Sequence, residues 1–302
     1  MAGQPGLFDL QDRYAELSKS GDPLERLLSV VDFEVFRPTL DAALGRKDRS
    51  RGGRPPLDAV MMFKILVLQA LYGLSDEQAE YQVRDRLSFM RFLGLGLGDR
   101  VPDRTTIWLF GEALVTAGAM EGLFARFDAD LKERGYFALG GQIIDASIVE
   151  GLLIPAFGYK SHITIDRRFR LIRRFIVTDA ARHDGAQLPG LLNPDAFDSR
   201  VWADSAYRSK TNEAAITAAG RRSMVHFRKP KGRPMPEPHQ RANRARSAVR
   251  SAVEHVFADQ KARMGLFIRT IGLGRATVKI GIANLAYNFR RLAWLEGRTA
   301  PA

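Results

Sequence analysis

Apolar residues recur at helical spacing through most of the first 135 positions. The pattern predicts helices over about 8–19, 23–44, 57–72, 102–116 and 120–134, with another starting at Ser75. Gly73 is placed to end the third of these, and Ser75 with Gln78 three residues later forms a capping box for the next. Helix, glycine turn and helix in this order is a helix-turn-helix pattern, although many helical bundles share it. The helix after the turn carries Tyr81, Arg84, Arg86 and Arg91.

Near Gly135 the period changes. Residues 141–149, 157–165 and 169–178 are rich in Ile, Val, Thr and aromatics and predict three consecutive antiparallel strands. A glycine- and proline-containing loop leads to a short strand at 200–204. A helix over about 210–219, a strand over 223–227 and two long helices over about 240–264 and 276–295 follow. Three antiparallel strands, a helix-flanked fourth strand and a late helix are the order of an RNase H-like fold. The expected class is therefore α+β: a helical, helix-turn-helix-like region over 1–135, then an RNase H-like domain over 136–302 with a mixed sheet flanked by helices.

Charge changes the picture more than overall composition does. Of 302 residues, 46 are Lys or Arg and 34 Asp or Glu, a formal net charge of +12 that favours a polyanionic partner, nucleic acid before membrane. The run Gly45–Pro56 holds five basic residues against one acid, with Arg51 and Arg54 among them, and reads equally as a solvated linker or a phosphate-contacting arm. Residues 221–250 hold ten basic residues and one acid. Lys229, Lys231 and Arg233 lie there among prolines that exclude helix and central strand, and Arg246 sits further along. A basic loop of this density is expected to contact nucleic acid.

There is no cysteine, which excludes disulfides, thiolate zinc sites and cysteine nucleophiles. The N-terminus lacks a basic signal-peptide start, and the most apolar stretch, 59–74, is short and interrupted by Lys64 and Gln69. No membrane association is expected, and a cytoplasmic, nucleoid-associated protein is.

Carboxylates stand where an RNase H-like fold does its chemistry: Asp145 in the first strand, Asp204 after the fourth, and Glu254 on the late helix. Together they would hold two divalent ions about 3.5–4 Å apart, one to activate the attacking oxygen and one to stabilise the leaving oxygen. Hard oxygen ligands suit Mg²⁺ or Mn²⁺. Asp145 is flanked by Ile144 and Ala146, where an unpaired carboxylate is costly. Asp204 taken alone also reads as a helix cap. Arg250 and Glu254 also read as an i,i+4 surface pair beside an apolar stripe of Val249, Val253, Val256, Phe257, Gln260 and Met264.

The spacing Arg250-x3-Glu254-x6-Lys261 resembles the signature around the last acidic residue of bacterial insertion-sequence DDE transposases. The surrounding residues 250–257 are similar to insertion-sequence family five in particular. So are 141–147, Phe157-Gly158-Tyr159-Lys160-Ser161-His162, 177–184, Val201-Trp202-Ala203-Asp204-Ser205-Ala206-Tyr207-Arg208 and Asn284-Leu285-Ala286-Tyr287-Asn288, together with 51–56, 74–78 and 101–106.

The resemblance covers nearly the whole chain in order. It implies binding of terminal inverted repeats and target double-stranded DNA, metal-dependent cleavage, strand transfer by the freed 3′-hydroxyl, and action as a homo-oligomer. It further implies that Asp145, Asp204 and Glu254 are catalytic metal ligands and that Arg250 and Lys261 hold phosphates. Lys160 and Arg208, inside the matching motifs, join the expected DNA contacts.

Two departures stand out. Ser247 occupies a position where many relatives carry Tyr. Only 150–156 separate the Asp145 strand from Phe157, where relatives have several tens of residues. The short link favours an alternative, an inactive transposon-derived DNA-binding or regulatory protein. A second alternative is a nuclease of the same fold that cuts without joining.

Overall fold

A computed structural model of the chain describes residues 8–45, 57–149 and 158–299. The basic arm with Arg51 and Arg54 and the link 150–156 lie outside the described residues. The first part is built from α1 (Asp9–Lys19), α2 (Pro23–Val30), α3 (Arg37–Ala43), α4 (Ala59–Tyr72), α5 (Asp76–Asp85), α6 (Leu87–Leu93), α7 (Arg104–Thr116) and α8 (Met120–Glu133). Local chemistry sets these ends. The Asp58 carboxylate accepts from the Met61 amide at the start of α4, and Gly73 ends that helix with a left-handed φ of 65°. Ser75 and Gln78 make the reciprocal capping box that opens α5. The long helix expected over 23–44 is broken. Val31 is extended, Asp32 caps a one-turn 3₁₀ helix at Phe33–Phe36, and Pro38 sits in the first turn of α3.

The second part contains β1 (Gln142–Val149), β2 (Tyr159–Asp166), β3 (Ile172–Asp179), α9 (Leu188–Leu191), β4 (Arg200–Trp202), α10 (Lys210–Ala218), β5 (Arg222–Ser223), α11 (Glu237–Ala258) and α12 (Leu273–Thr299). The sheet order is β3-β2-β1-β4-β5. β1–β2 and β2–β3 are antiparallel, whereas β4 runs parallel to β1 and β5 parallel to β4. This mixed sheet, flanked by helices behind a helical first part, is the α+β, RNase H-like arrangement expected. β1 and β2 pair all the way to Val149↔Tyr159, so the short link does not disturb their register.

β5 is shorter than the strand expected over 223–227. The backbone nonetheless keeps bonding to β4 beyond it, from the Met224 and His226 amides to the Val201 and Ala203 carbonyls. α11 gives way to one π-helical turn, Asp259–Arg263, instead of running on to 264 as an α-helix.

Alternation along β1 sends Ile143 to one face and Ile144 to the other. Ile143, Ile163, Ile165 and Trp202 join one large apolar core with α4, α7, α8, α11 and α12, while Ile144, Val201 and Ala203 pack on Leu188, Leu191, Tyr207 and Ile216. α12 runs back through the helical part, where Phe289 meets Phe33 at 5.4 Å and Phe127 at 4.9 Å between ring centroids.

Two polar devices hold the sheet edge. Asn288 accepts from the Ile172 amide and donates to its carbonyl, both at 2.8 Å. Buried Arg173 reaches Asp166 at 2.9 Å, Asp128 at 3.0 Å and the Tyr136 carbonyl at 2.8 Å. No single helix among the described residues is long and apolar enough to cross a membrane, and the apolar face of α4 is buried.

Candidate active site

The parallel pairing Gln142↔Val201 and Ile143↔Trp202, carried two residues further, sets Asp204 level with Asp145. α11 crosses this end of the sheet with its stripe of Val253, Val256 and Phe257 in the core, which turns Arg250 and Glu254 toward Asp145. The three carboxylates expected from chain order therefore lie around one point. Arg250 occupies that point: its guanidinium donates to Asp145 Oδ2 at 2.6 Å and to Glu254 Oε1 at 2.9 Å. Its Nε is buried without a hydrogen-bond partner.

Each carboxylate is held differently. Asp145 is mostly buried, with 13% of its side chain exposed, and its Oδ1 accepts from the Ala146 amide. Asp204 accepts from the Ala206 amide at 2.7 Å and so also caps the turn Ser205–Tyr207. Glu254 is the most open, its side chain 58% exposed. Desolvation pushes the Asp145 carboxyl up to about 6, opposed by Arg250 and the Ala146 amide and reinforced by the charges of Asp204 and Glu254. Excess negative charge in a desolvated corner is the electrostatic condition that a hard cation satisfies, and the donor set is all carboxylate. Among the described residues, no three acidic or histidine side chains are gathered closely enough to hold a metal as they stand. Arg250 draws Asp145 and Glu254 to itself.

The expected DNA contacts fall into three groups. Lys229, Lys231, Arg233 and Lys261 are exposed, the first three on the loop before α11 and Lys261 in the π-turn after it. Lys160, Arg208 and Arg246 are engaged within the protein. Lys160 bonds Asp184 and the Arg182 carbonyl, both at 2.9 Å. Arg208 and Arg246 both donate to the Val225 carbonyl, and each guanidinium lies 4.4 Å from the centre of the Phe227 ring. They clamp the segment after β5 onto α11, one turn before Arg250. Arg250 itself is paired inward, with Asp145 and Glu254.

Two residues near the site were not singled out from the sequence. Tyr207, three positions after Asp204, is buried with its hydroxyl unpartnered. Burial, then the charges of Asp145, Asp184 and Asp204, raise its pKa. Spacing from Asp204 was the available signal. Phe227 carried no signal, because its role depends on arginines brought from two other elements.

His162 is fully buried, and its Nε2 lies 2.9 Å from Thr178 Oγ1. Burial lowers its pKa to about 4. The folded state thus binds this proton less readily than the unfolded chain, where the value is near 6.5. The stability His162 contributes is complete above pH 6.5 and is lost as pH falls toward 4. His162→Gln is expected to flatten the decline of melting temperature across that window. A parallel decline in both proteins would remove His162 as its cause.

Residues 12–113 match the family described as Transposase domain (DUF772), and residues 141–289 match the Transposase DDE domain. Among solved structures, the chain is similar to the piggyBac transposase synaptic complex with hairpin DNA, seen by cryo-EM. The identity is 13% and the TM-score 0.48, over 93% of this chain and 77% of that one. A likeness that distant says nothing of this chain's chemistry.

Proposed function

As this chain belongs to the DDE transposases, we propose that it acts on the terminal inverted repeats of an insertion sequence of family-five type. It cuts the DNA at their boundaries and joins the freed 3′-hydroxyl to target DNA. The observation that carries this reading is the convergence of Asp145 and Glu254 on Arg250, with Asp204 level beside them. Divalent-metal dependence is general to the family, and here two Mg²⁺ or Mn²⁺ ions are assigned to the three carboxylates. Bound there, the ions would supply a deprotonated attacking oxygen and charge stabilisation at the leaving oxygen.

The chain's own residues do the rest. Asp145, on β1, and Asp204, in the turn just after β4, each fixed by a backbone amide, form the rigid part of the set. Glu254, open to solvent on α11, is the adjustable part. Arg250 neutralises the set in the protein alone. Once its place is taken, the guanidinium is free to turn to a DNA phosphate, for which its planar fork is suited. Lys229, Lys231, Arg233 and Lys261, exposed on the segments before and after α11, are assigned to the DNA backbone. The helices of 1–135 are assigned repeat recognition and 136–302 catalysis. Two element ends must be brought together, so the active form is assigned as a homo-oligomer on DNA, on the bacterial nucleoid.

The test is incubation of purified protein with a supercoiled plasmid carrying the flanking repeats, in Mg²⁺, Mn²⁺ or EDTA. Nicking at the repeat boundaries in metal only, followed by joining of pre-cleaved ends, is expected. Tight repeat binding without nicking in either metal would overturn the enzyme in favour of a transposon-derived regulator. Nicking without joining would favour a nuclease. Binding is expected to weaken steeply with salt, with a log–log slope of roughly −9 for about ten phosphate contacts. A slope near zero would contradict the electrostatic reading.

A further inference from the structure

The end of the sheet remote from the carboxylates carries a second set of cations. β1 and β2 pair from Val149↔Tyr159 to Gln142↔Asp166. The turn after Asp166 therefore lies more than three residues from Asp145, roughly 10 Å along the strands plus the turn itself. Arg167, Arg168 and Arg170 are exposed on this turn. The last turns of α12 come alongside: Arg291 Nε donates to the Phe169 carbonyl at 2.7 Å, and the Tyr287 hydroxyl donates to the Arg170 carbonyl at 3.1 Å. Arg291 and Arg298 lie 4.1 and 4.7 Å from the Trp294 ring, which remains 45% exposed.

Two features distinguish this surface from an ordinary solvated face. Among the described residues, none of these five arginines forms a close ion pair with a carboxylate, although Arg167 acts on Asp198 and Asp166 on Arg291 at longer range. Burial lowers the pKa of Arg291, and the charges of Arg170 and Arg298 add to this against the opposing pull of Tyr287 and Asp166. In addition, Arg170 has φ of +60°, the only positive φ at a non-glycine residue among those described. Glycine would sit there without strain, so the charge is kept at a cost to the backbone.

We propose that this surface is a second binding site for the backbone of duplex DNA, separate from the catalytic end. Its arginines fork onto phosphates, and Trp294, held between two of them, lies against deoxyribose. The choice of DNA as partner rests on the transposase reading. The same backbone chemistry is offered by target DNA and by the element's own end.

The experiment uses the full chain in EDTA, so that binding is read without cleavage, and fluorescence anisotropy on two labelled duplexes, one a terminal repeat and one of random sequence. The triple variant Arg168→Gln, Arg170→Gly, Arg298→Gln is expected to lose roughly 0.9 of the salt slope per contact removed. Its affinity should fall at least about tenfold for one or both duplexes. Loss confined to random DNA assigns the site to target, and loss confined to the repeat assigns it to the element end. Arg170→Gly alone should keep or raise the melting temperature while reducing the slope.

Wild-type affinity and slope for both duplexes in the triple variant would overturn the proposal. So would a lowered melting temperature with unchanged slope in Arg170→Gly. A chain that shows this dependence yet never cuts DNA keeps the surface and loses the catalytic reading. One that cuts DNA while the triple variant binds normally loses only the surface. Wild-type protein that binds neither duplex loses both.

Discussion

Asp145→Asn is expected to abolish metal-dependent nicking, by at least about a thousandfold, or roughly 4 kcal/mol of transition-state stabilisation. The same substitution should leave the melting temperature unchanged or higher. Both expectations come from one observation: the Asp145 carboxyl is pushed up to about 6, chiefly by desolvation, even with Arg250 at 2.6 Å. Its ionised form therefore costs the folded state more than its partners return. A neutral amide of the same shape removes that cost, along with the negative charge a metal ion requires. Opposite movements of activity and stability mark a group retained for chemistry. Asp204→Asn and Glu254→Gln should also stop cleavage. Nicking at near wild-type rate by any of the three, in protein shown to be folded, would remove that residue from the site. A lowered melting temperature in Asp145→Asn would make its pairing with Arg250 structural instead.

Arg173→Met should be the most destabilising of all these substitutions, at about 3–5 kcal/mol. Arg173 and Asp166 have side chains only 1% and 0% exposed, and Arg173 also spans to Asp128 on α8. Methionine fills much of the same volume but leaves Asp166 a buried carboxylate held only by the Phe169 and Leu171 amides. Burial already raises the Asp166 pKa, and without the guanidinium it would be driven to take up a proton. The double variant Arg173→Met, Asp166→Asn should recover at least half of the loss, because no uncompensated charge remains. Denaturant unfolding measures both. A single-variant cost below about 1 kcal/mol, or losses that simply add in the double, would show that the cluster is not a coupled unit.

Much of the architecture is legible along the chain because it is locally encoded. Gly73, Ser75 and Gln78 specify a helix end and the next start through contacts within a few residues. The stripe Val249, Val253, Val256, Phe257, Gln260 and Met264 is periodic, and all but the half-buried Val249 are buried. The break within 23–44 is hidden because the apolar spacing continues across Val31 and Asp32, where backbone conformation and an aspartate cap intervene. Lys160, Arg208 and Arg246 read as free cations because sequence shows charge but not the carbonyls and carboxylate that come to surround it.

The order of elements, the excess of basic charge and the three carboxylates on β1, after β4 and on α11 are all legible along the chain. Periodicity, caps and chain order are properties of neighbouring residues. Long-range packing alone decided that Arg250 turns inward to Asp145, 105 positions away. It likewise decided that Arg173 is buried among Asp166 and Asp128, and that the turn at 167–170 meets the end of α12 more than 100 positions later. Whether a cation is free for DNA or used inside the protein depends on which distant groups share its low-dielectric surroundings. That is fixed by packing across the whole chain, and no local pattern encodes it.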